Sequence, residues 1–534
     1  MFYGVLFGAF SFLYYICRRK PKQQTLLKKD LMNNEQLMMN ANPIVAALGK
    51  APSEFTREDI IDYVTKNNIR LVNFMYPGGD GRLKTLNFIV SDLAYLRTIL
   101  TCGERVDGSS LFSFIQAASS DLYVLPRFAT AFLDPFSETP TLCMLCSFFD
   151  KDGNPLGSAP EHTLRKALDR FKAKTGMDFE AMGELEYYVI KPAESLFPGQ
   201  DQHGYHESAP YAKMGAFRQR CMQYIAQAGG HIKYGHTEVG CFEQDGMLYE
   251  QNEIEFLPVP AIHAADELVI AKWVIRNLAW QEGLNVTFAP KITTGKAGSG
   301  LHIHMRLMKD GRNMLVNNGQ LTDTTRKAIA GLMELAPSLT AFGNKIPTSY
   351  FRLVPHQEAP TNVCWGMSNR SVLVRIPLGW TSGHDMSRAA NPMEQEVPME
   401  QRGSEKQTFE IRSGDGSADV YQYLAALCTA CRHGFEMDNA LEVAERTFAD
   451  GDIHDSSRAE HATNMAQLPD SCAESADCLA RQRSVFEAEN IFDCGMIDGI
   501  IAQLRSYNDR TLRRDIEGDV LKVAQLVKCY YNCG

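Results

Sequence analysis

Gly183-Glu184-Leu185-Glu186 sits inside Phe179 to Ile190, a run apolar enough for a core strand yet interrupted by carboxylates at every second position. The same alternation returns at His302-Ile303-His304, at Glu253-Ile254-Glu255 and at Glu410-Ile411-Arg412. Period two places both ionisable side chains of each trio on one sheet face and the apolar residue between them on the other. One such strand is what any half-solvated antiparallel sheet shows. Four argue for a functional face, because histidine and unmatched glutamate are poor strand formers and the surrounding segments are apolar enough to make a core. Carboxylates crowded on one concave face would raise one another's pKa and protonate unless a cation neutralised them. Divalent metal is the economical answer, and ligands that are mostly carboxylate with one or two imidazoles suit Mg2+ or Mn2+ better than a structural zinc site.

Arginines supply the other half of the pattern. Arg352, Arg370, Arg375 and Arg412 follow the His302 strand and lie near Glu358 and Glu410 in sequence. The planar guanidinium fork is suited to phosphate and carboxylate. Metals with arginines point to nucleotide phosphate chemistry, where positioning and charge neutralisation do most of the work. The sequence has no G-x-x-x-x-G-K-[ST], so the chemistry is not that of a P-loop enzyme. Gly295-Lys296-Ala297-Gly298-Ser299-Gly300 lacks the Walker hydroxyl after its lysine and reads as a turn entering a strand.

Working outward, strands are expected at Ile232 to Val239, Gln251 to Leu257, Asn285 to Ala289, Gly300 to Leu307 and Val372 to Ile376, and helices at Glu161 to Thr175, Met214 to Ala228, Ala264 to Glu282 and Thr324 to Leu335. Beyond Val420 the pattern is almost wholly helical. Before residue 155 the chain reads as a smaller α+β unit. Thr56 caps a helix with the stripe Ile60, Ile61 and Val64, a hairpin turns at Pro77-Gly78-Gly79-Asp80-Gly81, and strands follow at Asp121 to Leu125 and Thr141 to Phe149. The expected organisation is an apolar segment and polar linker over 1–54, a first domain over 55–155 and a larger one over 156–534.

The 534 residues, 45% hydrophobic and 22% charged with a formal net charge of −10, describe a soluble acidic protein and argue against nucleic acid as a partner. The 14 cysteines show no framework spacing. Cys143 and Cys146 could be half of a zinc site, but residues three apart on a strand point to opposite faces. Cys428 and Cys431 fall in a helical run where small thiols pack well. Free thiols in this number fit a reducing cytoplasm. Residues 21 to 54 are polar, lack a sustained apolar period and read as a disordered arm, with order beginning near Thr56. Phe2 to Cys17 is apolar and is followed by Arg18-Arg19-Lys20. It falls short of the ~20 residues a spanning helix needs. A short N-terminal membrane anchor and a start at Met32, Met38 or Met39 are both open readings.

From about Thr56 onward the chain resembles the glutamine synthetase family. The resemblance is carried by Val106-Asp107-Gly108-Ser109-Ser110, the Gly183 to Glu186 strand, Gly298 to His304, Ser349 to Pro360, Asn369-Arg370-Ser371 through Pro377, and Glu410-Ile411-Arg412. An ordered set of this kind is highly specific, although each motif alone is weak. The fold it implies is α+β, an N-terminal β-grasp domain followed by a curved antiparallel sheet wrapped by helices. The activity it implies is ATP-dependent joining of ammonia to glutamate through an acyl phosphate, with ATP and Mg2+ or Mn2+ as cofactors. By the same resemblance Glu186, Glu238 and Glu253 hold one metal, and Glu184, His302 and Glu410 the other. Arg352, Arg412 and Gly298 receive glutamate, Arg370 and Arg375 stabilise the transferred phosphoryl group, and His304 lies beside the nucleotide. Asp107 binds ammonium and promotes its deprotonation, while Glu358 sits on a flap that excludes water. In this family the D-G-S-S loop completes the neighbouring subunit's site, so a closed homo-oligomeric ring, commonly a dodecamer, is implied.

The departures bear on the substrate. Ala297 stands where ammonia-using members carry asparagine, Arg306 where serine is usual, Thr408 where an arginine is common, and the chain between Glu238 and Glu253 is longer. Ala466 stands where a tyrosine would be adenylylated. A γ-glutamyl-amine or polyamine ligase and a catalytically retired structural homologue are the other readings.

Overall fold

The computed structural model describes residues 32–112, 114–115, 120–354, 359–379, 384–398, 406–451, 453, 465–516 and 518–534. The apolar run Phe2 to Cys17 with its basic flank, and Glu358, lie outside the described residues.

The first sheet has strand order β2-β1-β6-β4-β3, with β5 paired beside β6. Its strands are β1 (Leu71–Pro77), β2 (Leu83–Ile89), β3 (Glu104–Asp107), β4 (Asp121–Pro126), β5 (Phe132–Leu133) and β6 (Thr141–Phe149). β1 and β2 form the expected hairpin, while β1 and β6 run parallel. Thr56 caps the helix Arg57–Lys66 in a reciprocal box with Asp59, and Ile60, Ile61 and Val64 are buried.

From residue 32 the arm before Thr56 is not the structureless linker its composition suggests. Asn34–Met39 and Pro43–Leu48 are helices, the first closed by reciprocal hydrogen bonds between Asn33 and Gln36, the second capped by Asn42 with Pro43 in its first turn. Ile44 and Val45 are fully buried in the N-terminal core. Asn42 Nδ2 donates to the Ala131 carbonyl at 2.9 Å. Helices of six residues are too short to show a period in sequence, so the signal lay only in their caps. A chain beginning at Ala51 should be about 3–5 kcal/mol less stable than one beginning at Met32, because it lacks two buried aliphatic side chains. Chemical denaturation of the two chains measures this.

β6 divides its residues between two cores. Cys143 and Leu145 enter the large core, whereas Leu142, Met144, Cys146 and Phe148 enter the N-terminal one. The two thiols therefore face opposite ways, as strand geometry requires, and burial pushes both upward in pKa. The domains are also joined by a buried fork. Both terminal nitrogens of Arg127 lie 2.7 Å from the carboxylate of Asp266 on the helix Ala261–Gln281, and Tyr421 Oη donates to the same carboxylate at 2.5 Å. Asp266→Ala should cost about 3–5 kcal/mol, since it leaves a buried guanidinium without its counter-charge. Equilibrium unfolding of the variant checks it.

The second domain carries a ten-stranded sheet. Its strands are β7 (Asp178–Pro192), β8 (Ile232–Gln244), β9 (Met247–Phe256), β10 (Val259–Pro260), β11 (Asn285–Thr287), β12 (Leu301–Lys309) and β13 (Arg312–Asn313), then, past a hairpin of β14 (Val316–Asn317) and β15 (Gln320–Leu321), β16 (Trp365–Met367), β17 (Val374–Ile376) and β18 (Phe409–Ile411). The main path is β16-β17-β18-β12-β7-β9-β8, antiparallel except between β16 and β17. Leu185, Ile254, Ile303 and Ile411, the apolar residues of the alternating trios, are fully buried in the large core. Ala261–Gln281, Asp323–Gly343 and Val420–Gly434 supply helical partners for that core. Asp323–Gly343 runs past Pro337, further than the expected end at Leu335. Among the described residues no helix is long and apolar enough to cross a membrane.

Candidate active site

The alternating strands bring their ionisable residues into three cross-strand rows. Glu186 on β7 faces Glu253 on β9, which faces His236 on β8. One row along, His302 faces Glu184, Glu184 faces Glu255 and Glu255 faces Tyr234. In the third, Arg375 faces Glu410 and Glu410 faces His304. A register slip of one residue would turn every one of these side chains into the apolar core. The extra chain between Glu238 and Glu253 lengthens the β8–β9 hairpin, turning at Asp245 and Gly246, both with positive φ. A bulge between Thr237 and Cys241 takes Glu238 out of the ladder.

These rows floor a cleft of about 1840 Å³ lined by Glu184, Glu186, Glu238, Glu253, Glu255 and Glu410 together with His236, His302 and His304. Arg352, Arg370, Arg375, Arg412 and Gly298 also line it. The sequence reading thus brings together all its expected site residues except two. Glu358 lies outside the described residues, and Asp107 does not line the cleft of its own chain. Asp107 is exposed at the end of β3, where it accepts hydrogen bonds from Ser109 N and from the Ser109 and Ser110 hydroxyls, and these hold its carboxyl well below the usual range.

The donor atoms group differently from the two sets the resemblance implies. Glu184, His304 and Glu410 each offer an atom within 4.8 Å of the others, and so do His236, Glu238 and Glu253. His304 Nε2 lies 2.8 Å from Glu184 and 2.6 Å from Glu410, while its Nδ1 is 2.8 Å from Thr408 Oγ1. His302 Nδ1 is 2.9 Å from Glu184 and its Nε2 is 3.8 Å from Glu186. Glu186 Oε2 accepts from Gln251 Nε2 at 2.9 Å and from Gly300 N at 2.8 Å.

The electrostatics divide the floor. Burial pushes Glu186 up to about 7 against the opposing pull of His302, with Glu238 adding to the rise. Burial and four neighbouring carboxylates drive Glu253 well above its ordinary value. Burial also acts on Glu184 and Glu410, but His304 overcomes it and holds both below the usual range, Glu410 at about 2. These carboxylates in turn raise His304 to about 10 despite its burial.

The arginines are held by the surrounding loops. Arg352 donates to the carbonyls of Ser413, Gly414 and Arg412 at 2.9, 3.1 and 3.2 Å. A Cβ at Gly300 would stand 2.5 Å from its guanidinium, so any larger residue there would push Arg352 aside. Arg375 donates to Glu410 at 3.1 Å, and Arg412 to the Arg370 carbonyl. The Gly-rich loop is strapped by the segment before β8, where Lys296 pairs with Asp201 at 2.7 Å and Ala297 N donates to Gln202 Oε1 at 2.7 Å. Arg306, one of the departures, donates to Glu180 at 2.6 Å and lines the cleft.

Sequence reasoning gave no role to His236, Glu255, Tyr205, Tyr234 or Lys233, all of which line the cleft. His236-Thr237-Glu238 carries the same alternation as the other trios and could have been found by it.

Family patterns cover both domains. The glutamine synthetase β-grasp domain matches residues 68–151 and the glutamine synthetase catalytic domain residues 157–506. The glutamine synthetase of Methanococcus maripaludis is 30% identical over 331 residues, 60% of this chain and 72% of its own. That of Staphylococcus epidermidis is 29% identical over 443 residues, 81% of this chain and 91% of its own. Among solved structures, Plasmodium falciparum glutamine synthetase superposes with a TM-score of 0.70 at 18% identity, covering 86% of this chain and 97% of that one. GmaS without ligand superposes at 0.67 with 19% identity, covering 86% and 99%. With both domains matched in order, and the cleft built on strands inside the matched span, the chain belongs to the glutamine synthetase family.

Proposed function

We propose that the protein uses ATP to join ammonia to the γ-carboxylate of glutamate through γ-glutamyl phosphate. The observation that carries this reading is the convergence, in one cleft, of clustered carboxylates with Arg352, Arg370, Arg375 and Arg412. A glutamate oxygen attacks the γ-phosphorus of ATP and ADP leaves. The amine then attacks the acyl carbon, phosphate leaves, and one proton is lost from nitrogen. Arg352, Arg412 and the Gly298 backbone orient glutamate, Arg370 and Arg375 face the transferred phosphoryl group, and His304 lies by the nucleotide. Asp107, from a neighbouring subunit of a ring, takes the ammonium proton. Glu358 belongs to the flap over the acyl phosphate.

The floor suits divalent cations, because burial, and after it their neighbouring carboxylates, make Glu186 and Glu253 retain protons that a cation would displace. Glu186, Glu238 and Glu253 would hold one Mg2+ or Mn2+, and Glu184, His302 and Glu410 the other. Bound there, the ions supply Lewis-acid polarisation and neutralise phosphate charge. Glu186 in the metal-free fold has a pKa of about 7 against an ordinary 4.5, so the native state binds its proton more tightly than the unfolded chain. That contribution to stability is complete below the unfolded value and is lost as pH rises through about 7. Mn2+ binding should accordingly release protons, with affinity climbing as pH rises to about 7 and levelling beyond it. Calorimetry in buffers of different ionisation enthalpy measures this.

A larger amine is the second reading, favoured by the mouth of the cleft. Tyr205 and Tyr234 are 46% and 43% exposed there, and exposed aromatic faces attract alkylammonium groups. ADP release by the purified protein, measured with glutamate and a panel running from ammonia to diamines, tests both readings. Glutamate-dependent release with ammonia supports the first, release only with alkylamines supports the second, and no glutamate-dependent release with any amine sinks both.

A further inference from the structure

The donor group on the β8 side contains a nitrogen that the family resemblance does not place among the metal ligands. His236 stands in register with Glu253, and the bulge after Thr237 sets Glu238 beside it, so one atom of each residue lies within 4.8 Å of the other two. The two nitrogens of the His236 ring meet different partners. Nδ1 is 3.0 Å from the carbonyl of Thr237, which can only accept, so the Nδ1 proton is committed to that bond. Nε2 is 3.2 Å from Glu253 Oε1 and 3.9 Å separates Nδ1 from Glu238. A neutral imidazole in this tautomer turns its lone pair toward a carboxylate oxygen, an arrangement that repels unless a proton or a cation that displaces it is shared between the two atoms. A backbone carbonyl fixing Nδ1–H is how metal-bound imidazoles are oriented in general. The ring is also held in place by its neighbours, with the His206 centroid at 4.4 Å, Tyr205 at 5.6 Å and Tyr234 at 5.7 Å.

We propose that His236 ligates, through Nε2, the divalent cation held by Glu238 and Glu253, and that this nitrogen biases the site toward Mn2+ over Mg2+. The proposal rests on the reading of those two glutamates as metal ligands. Mg2+ demands near-ideal octahedral oxygen coordination and gives up water reluctantly, whereas imidazole strengthens binding of the later divalent metals. His304 belongs to the opposite group and His302 lies between Glu184 and Glu186, whereas His236 is the imidazole grouped with Glu238 and Glu253 among the described residues.

The test titrates chelator-treated full-length protein with Mn2+ and, separately, with Mg2+, for the unaltered chain, His236→Asn, His236→Gln and Glu253→Gln, with circular dichroism confirming the fold of each. Removal of the nitrogen should weaken one Mn2+ site roughly tenfold or more while changing Mg2+ affinity little. Pulsed EPR of Mn2+ at that site should lose the imidazole nitrogen modulation in both His236 variants. Unchanged Mn2+ affinity and modulation, or equal weakening for both metals, would leave His236 and Glu253 as a plain ion pair and overturn the proposal. Glu253→Gln separates this from failure of the underlying reading: if it too leaves metal binding intact, the metal site itself is misplaced. Should one His236 variant fail to fold, the other and the nitrogen modulation of the unaltered chain still decide.

Discussion

Glu186→Ala is expected to lower glutamate-dependent ADP release by roughly 10³-fold, the scale of losing one preorganised charge from a desolvated site. Glu186 stands in the row that holds Glu253 and His236, and it is buried. A structural explanation competes, because its Oε2 also accepts from Gly300 N and Gln251 Nε2 and so anchors the loop before β12. Glu186→Gln separates the two. Glutamine keeps an oxygen acceptor for both donors but carries no charge, so a loop defect would be largely repaired and a lost cation ligand would not. The expected result is that Glu186→Gln stays near the alanine level while its melting temperature returns toward that of the unaltered chain. Activity restored by glutamine would remove Glu186 from the metal-binding role.

Mixing Asp107→Asn with Glu186→Ala should recover activity that neither variant has. Each alone should be down by about 10²–10⁴-fold if Asp107 moves a proton and Glu186 holds a cation. Asp107 lies outside the cleft of its own chain, exposed, with its carboxylate turned onto Ser109 and Ser110. In a head-to-tail ring assembled from equal amounts of both chains, roughly a quarter of interfaces would join an intact Asp107 to an intact metal floor. Confirmed mixed oligomers with activity no higher than either parent would sink the shared site and the role given to Asp107.

What could be read from the sequence was what depends on short-range periodicity. Glu184, Glu186, His302 and Glu410 reveal themselves because one residue of alternation settles the face on which each lies, and Leu185, Ile303 and Ile411 confirm it by being buried. His236 has the same spacing from Glu238, yet a single trio beside a bulge offers little signal on its own. That His304 lies beside Glu410 depends on strand register, which no single strand reveals. Pro43–Leu48 was missed because its evident contribution is two side chains, Ile44 and Val45, whose importance lies in a core made by other segments. Asp107 could be assigned only by resemblance, since nothing near it in its own chain explains a catalytic carboxylate.

β6 gives alternate residues to the two cores, so the sequence boundary near residue 155 marks no mechanical boundary. A strand that serves as the common wall of two rooms cannot tilt without disturbing both. Repacking at Leu142 or Met144 would be felt across that wall by Cys143 and Leu145, and the Arg127–Asp266 fork ties a second point of the same seam. The small domain should therefore behave as a fixed bracket, carrying Asp107 outward at a set angle. In any ring the chain forms, the aim of that residue would be decided by how whole subunits pack and not by a hinge within one of them.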